Sequence, residues 1–145
     1  MRRPNKKEKM KPIRISPAIL SKYGITQKTR RKMLHGEDDL QISCVEWFRY
    51  QYPHRELIHI PNGGKTNQFE GERFKKMGVR KGALDLLLLE PNKGYHGLWI
   101  EMKFGKNKMS KDQKDFSTKM IQRGYGVVEV RTFEQFQECV LKYLL

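Results

Sequence analysis

The chain has 145 residues, in which 30 Lys and Arg stand against 16 Asp and Glu for a net charge of +14. That length allows one domain with a real hydrophobic core and an arm beside it. No apolar run approaches the roughly 20 residues needed to span a bilayer, the first residues lack the apolar centre of a secretion signal, and two cysteines are too few for a disulfide scaffold. These features fit a cytoplasmic protein, or a nuclear one if its host has a nucleus.

The charge is unevenly spread. Residues 1–34 hold twelve Lys or Arg and the single acid Glu8, and so carry +11 of the +14. With Pro4, Pro12 and Pro17 among those charges, this stretch reads as a flexible basic arm with at most a short helix near 17–32, and residues 35–145 as the folded domain. A basic arm is a footprint for polyanions, most often nucleic acid. An import signal, attraction to anionic lipid and plain solvation are the other readings of the same charges.

From Glu37 to about Gln51, Leu40, Cys44, Val45, Trp47 and Phe48 follow helical spacing, and Pro53 ends the element. Glu56–Ile60 reads as a short strand that closes in Pro61-Asn62-Gly63-Gly64. A short helix around 69–77 and a turn at Gly78 come next. Two apolar arms, roughly 84–90 and 97–103, then flank Pro91-Asn92-Lys93-Gly94 as a β-hairpin. Ser110–Arg123 forms a second long helix, opened by the capping-box pattern Ser110-x-x-Gln113 and stopped by Gly124. Gly126–Arg131 is a β-branched strand, and Thr132-x-x-Gln135 caps a final helix. Cys44 and Cys139 fall within apolar helical patterns and read as buried thiols. The order predicts an α/β domain, a mixed sheet with helices on both faces, in which strand 126–131 runs parallel to a hairpin arm.

The hairpin carries the chemistry. With its turn near residue 93 or 94, Asp85 falls opposite Glu101 or Met102, where facing Cα atoms are about 4.5–5.5 Å apart, so two carboxylates can share one divalent ion. Alternation puts Glu101 and Lys103 on one face and turns Met102 away. Taken singly, these residues are equally at home as a solvated strand edge and a surface ion pair worth at most about 1 kcal/mol. Their place at the end of buried apolar runs argues instead for a metal-dependent phosphodiesterase site.

Seven elements in order resemble the virus-type replication–repair nuclease (VRR-NUC) branch of the PD-(D/E)XK nuclease superfamily. They are Glu37-x-x-Leu40-Gln41, His59-Ile60-Pro61-Asn62-Gly63, Lys76-Met77-Gly78-Val79, Gly82-x-x-Asp85-Leu86, Ile100-Glu101-Met102-Lys103, Ser110-x-x-Gln113 and Gly124-Tyr125. The match covers roughly 36–145. It departs from the family at Leu84, where proline is usual, and in the basic arm. The resemblance implies a restriction-endonuclease-like core, a mixed four-stranded sheet flanked by helices. It implies Asp85, Glu101 and the backbone carbonyl of Met102 as ligands for Mg²⁺ or Mn²⁺, with Lys103 orienting or helping to deprotonate the attacking water. Glu37 would reach the site from the first helix, through a water or a second ion; otherwise it is a first-turn acid favoured by the helix dipole. Gln113 contacts the site or DNA, or only caps its helix. Gln41 is expected to bond the hairpin or Lys103, and His59 to line the cleft or to be a satisfied polar residue.

Asn62 is a turn residue or a substrate contact. Lys65, Lys75, Lys76, Arg80 and Lys81 before the acidic strand, and Lys106, Lys108 and Lys111 after Lys103, are expected to flank the cleft and bind DNA phosphates. Such contacts fix register without reading sequence. Similar single-domain proteins suggest viral or prophage origin and a homodimer cutting branched DNA, such as the four-way junctions of recombination and repair. Tyr50, Tyr52, Phe69 and Phe74 are the candidate interface groups or core positions. Flap or duplex-end cleavage by the same chemistry, and a non-catalytic nucleic-acid-binding module, are the alternatives.

Overall fold

A computed structural model describes residues 36–61 and 68–145. The elements are α1 (Glu37–Gln51), β1 (Leu57–His59), α2 (Gln68–Lys76), β2 (Leu86–Leu88), β3 (Leu98–Met102), α3 (Lys111–Gln122), β4 (Gly126–Val130) and α4 (Phe133–Leu144). The strands form one sheet in the order β1-β2-β3-β4, with β1, β2 and β3 antiparallel in turn and β4 parallel to β3. This is the mixed four-stranded α/β architecture that the element order predicts. The arm at 1–34, with its short helix near 17–32, lies outside the described residues, as do Asn62 and Lys65.

Pleating divides the sheet into two cores. Leu86, Leu88, Leu98, Ile100, Met102 and Val130 join Leu40, Cys44 and Phe48 of α1 and Phe136, Val140 and Tyr143 of α4. On the opposite face Ala83, Leu84, Leu87 and Trp99 pack with Phe116 of α3. Leu84, the position at which the sequence departs from the pattern it resembles, is fully buried there. Cys44 and Cys139 are buried free thiols, and burial pushes both well above the usual thiol range. Tyr52 packs against Trp47 and Phe48 as a core residue, whereas Tyr50 and Phe69 are exposed.

The hairpin turns tightly. Lys93 and Gly94 both have positive φ, 52° and 82°, as a two-residue type I′ turn requires. Asn92 and Tyr95 close it by exchanging backbone hydrogen bonds. The turn is fastened to the end of α4: Asn92 Nδ2 donates to Tyr143 O at 2.7 Å and Lys93 Nζ to Lys142 O at 2.8 Å. Those carbonyls belong to the last helical turn, which has no intrahelical donors for them. Both hairpin strands are shorter than the apolar arms suggest. β2 ends at Leu88, although the Leu89 N–H still donates to Glu56 O at 2.9 Å, and Asp85 sits in a bend immediately before the strand.

Helix boundaries follow local chemistry. Ser110 Oγ accepts from the Gln113 N–H at 3.2 Å and Gln113 Oε1 accepts from the Ser110 N–H at 2.8 Å, the reciprocal capping box of the sequence pattern. Thr132 caps α4 by accepting from the Gln135 N–H, but Gln135 Oε1 turns instead to the N–H of Arg131. Gly124, at φ 83°, terminates the α3 segment.

Candidate active site

Pairing of Leu86 with Ile100 sets the register, and one further step along both strands brings Asp85 to Glu101. Asp85 is locked from two sides. Its Oδ2 accepts from the Met102 N–H at 2.8 Å, while its backbone oxygen accepts from the Ile60 N–H at 2.8 Å. Met102 itself points into the first core, as alternation demands.

Glu101 is fully buried. Its Oε1 accepts from Lys103 Nζ at 2.5 Å and from Gln113 Nε2 at 2.5 Å. Its Oε2 is buried with no hydrogen-bond partner. Gln113, expected either to contact the site or DNA or only to cap its helix, uses both ends of its side chain: the carbonyl end caps α3 and the amide end meets Glu101. Lys103, 7% exposed, also lies 3.9 Å from Glu37 Oε1, so the first helix does deliver its acid to the site.

Three carboxyl groups, Glu37, Asp85 and Glu101, therefore share a single ammonium, so acids outnumber the cation. Burial pushes Glu101 up to about 7; the Lys103 hydrogen bond and charge oppose this, while Asp85 and Glu37 reinforce it by repulsion. Burial alone would pull Lys103 down, but its hydrogen bond to Glu101 and the Glu101, Glu37 and Asp85 charges outweigh that and hold it above its ordinary value.

A divalent cation fits this deficit. The unpaired Glu101 Oε2 is a hard oxygen donor, of the kind Mg²⁺ and Mn²⁺ prefer. Among the described residues, no three His, Cys, Asp or Glu side chains converge as ligands. An ion here would draw on two carboxylates and backbone oxygen rather than on a cage of side chains.

The solved structure of a VRR_NUC domain protein superposes on this chain with a TM-score of 0.62. The two are 24% identical, over 75% of this chain and 88% of that one. The chain has the fold of a VRR-NUC domain. No family model and no curated protein matches the chain.

Around this VRR-NUC core the basic residues are exposed. Lys75 and Lys76 end α2, Arg80 and Lys81 occupy the turns before Asp85, and Lys106, Lys108 and Lys111 follow Lys103. Lys81 is paired with Asp112 at 2.9 Å, on the first turn of α3. Gly82 packs so closely there that a Cβ would meet the Asp112 backbone at 2.5 Å, and its φ of 80° also favours glycine.

Two arrangements escaped the sequence. Gln41 does not reach Lys103; its amide meets His59 Nδ1 at 3.0 Å, and the same Nδ1 lies 2.8 Å from the Asp85 backbone oxygen. Arg131 donates to Gly105 O at 2.9 Å and pairs with Glu129 at 2.6 Å, anchoring the loop that carries Lys106 and Lys108. The Gln41–His59–Asp85 and Arg131–Gly105 contacts have no sequence signature, because each joins residues distant in the chain through polar groups that look unremarkable alone.

Proposed function

We propose that this protein is a Mg²⁺- or Mn²⁺-dependent endodeoxyribonuclease that selects DNA by structure, acting on branched DNA such as four-way junctions. The observation that carries the reading is the buried Glu101 carboxyl with one oxygen unpaired, set between Asp85 and Lys103 in a site where acids outnumber the one ammonium. A buried acid left in that state is costly unless a cation completes it. The VRR-NUC fold, a nuclease-type fold, supports the same conclusion.

Asp85, Glu101 and the backbone carbonyl of Met102 would hold the ion. When bound, it supplies Lewis acidity toward a phosphodiester oxygen and toward water. The protein's own residues do the positioning. Met102 N–H fixes the Asp85 carboxylate and Gln113 fixes Glu101, so neither acid swings when substrate arrives. Lys103 is held protonated by its acidic neighbours, which suits it to orienting a water and to countering phosphate charge rather than to accepting a proton. Glu37 tethers Lys103 from the other side and could hold a second ion or a water. Lys75, Lys76, Arg80, Lys106, Lys108 and Lys111 would grip the backbone of the duplex arms, joined by Asn62, Lys65 and Lys81. A homodimer would present two such sites to two opposed strands across a two-fold axis.

The test is a nicking assay on supercoiled plasmid with Mg²⁺ against EDTA, followed by a four-way junction, a flap and a linear duplex in parallel. Metal-dependent cutting with preference for the junction supports the reading. Equal cutting of flaps or duplex ends retains the chemistry and changes the substrate. DNA binding without cutting in either metal identifies a non-catalytic binding module and ends the proposal.

A further inference from the structure

We propose that His59, backed by Gln41, is a positioning residue that sets Asp85 for cation binding; the proposal rests on the nuclease reading above. The Asp85 backbone oxygen lies 2.8 Å from His59 Nδ1 and 2.8 Å from the Ile60 N–H. A carbonyl oxygen only accepts, so the contact is a hydrogen bond when Nδ1 carries a proton. Gln41 Nε2 lies 3.0 Å from the same Nδ1; with the proton on Nδ1, exchanging the amide's nitrogen and oxygen makes Gln41 a second acceptor that shares that one proton with Asp85.

Position explains why a second donor matters. β1 pairs with β2 only as far as Leu86, and Asp85 lies beyond that point in a bend. The Ile60 N–H already satisfies the carbonyl, so folding does not require the imidazole. What His59 adds is restraint: with two donors on its oxygen, the peptide after Asp85 resists rotation, and the carboxylate stays against Met102. The relay also spans elements. Gln41 stands one helical turn beyond Glu37 on α1, so the contact registers the helix that supplies Glu37 against the strand that supplies Asp85. His59 and Gln41 thus act on the ion through Asp85.

The test exploits side-chain geometry. The amide nitrogen of asparagine occupies the place of Nδ1, whereas that of glutamine occupies the place of Nε2. Mn²⁺ binding to the full chain is measured by calorimetry and by electron paramagnetic resonance for wild type, His59→Ala, His59→Asn, His59→Gln and Asp85→Ala. We expect His59→Ala and His59→Gln to weaken Mn²⁺ by roughly 10–100-fold, with unchanged unfolding temperature, and His59→Asn to restore most of the affinity. In His59→Ala, added Mn²⁺ should recover the nicking rate. Wild-type affinity in His59→Ala, or His59→Asn as weak as His59→Ala, overturns the relay while leaving the site intact. Absence of Mn²⁺ binding in wild type as well as in Asp85→Ala overturns the nuclease reading and the relay with it.

Discussion

The two faces of β3 are equally buried and chemically opposite. Leu98, Ile100 and Met102 look into an apolar core closed by α1 and α4, where dispersion and water exclusion leave no polar side chain of the strand to satisfy. Trp99, Glu101 and Lys103 look the other way. Trp99 stacks edge-on with Phe116 at 5.1 Å, yet the next residue on that face is a buried acid with a bare oxygen. The strand's own side chains leave nothing polar on the first face, whereas the second carries an ionisable carboxyl with an unpartnered oxygen. An apolar face and an ionisable one are thereby separated by a single residue step along one strand.

The sharpest way to break that division is to alter the acidic face. Asp85→Ala or Lys103→Ala should reduce nicking by about 10²–10³-fold or more, with DNA binding in EDTA within a few-fold of wild type by fluorescence anisotropy. An equal loss of binding would assign these residues to the scaffold. The mirror experiment is Ile100→Ala, which should cost roughly 2–5 kcal/mol in urea unfolding while folded molecules keep their activity.

Gly82→Ala sits between the two regimes. The new Cβ meets the Asp112 backbone at 2.5 Å, and φ is 80°. The strain should cost about 1–3 kcal/mol and shift the first turn of α3, so Gln113 loosens its hold on Glu101. Activity should then fall more than stability alone accounts for, which a comparison of nicking rate with folded fraction at one temperature measures.

The smallest expected effect is on pH. Glu101 in the folded protein titrates near 7, above its ordinary 4.5. Between those values the folded state keeps a proton that the unfolded chain has lost, so this group's contribution to stability declines as pH rises from about 4.5 to about 7 and is level outside that window. Metal-free protein should lose a few degrees in unfolding temperature across it. Glu101→Gln should remove that slope and raise the unfolding temperature near neutrality, and Mg²⁺ should offset it in wild type.

Much of this was legible in residue order. Alternation alone predicted Glu101 and Lys103 on one face. The turn left Glu101 and Met102 both open as partners of Asp85, and only the ladder decides: Asn92 faces Tyr95 across the turn, but Leu86 faces Ile100, one residue out of step, which brings Asp85 to Glu101. Ser110 and Gln113 announced a helix start. The second use of Gln113 was open, since its amide end is free to take any nearby acceptor and only tertiary structure brings Glu101 there. Burial of Glu101 could be inferred from Gly-Leu-Trp-Ile, but an unpaired Oε2 could not, because satisfaction depends on every neighbour at once. The His59–Asp85 contact was hidden for the same reason: nothing in an exposed strand histidine reveals which carbonyl its ring will find.

Calorimetric titration of Mg²⁺ and Mn²⁺ into metal-free protein addresses the charge deficit most directly. The account predicts saturable binding in wild type that disappears in Asp85→Ala and in Glu101→Gln, with Ile100→Val unaffected. Saturable binding that survives in both acid variants, or none in wild type at millimolar metal, would contradict it.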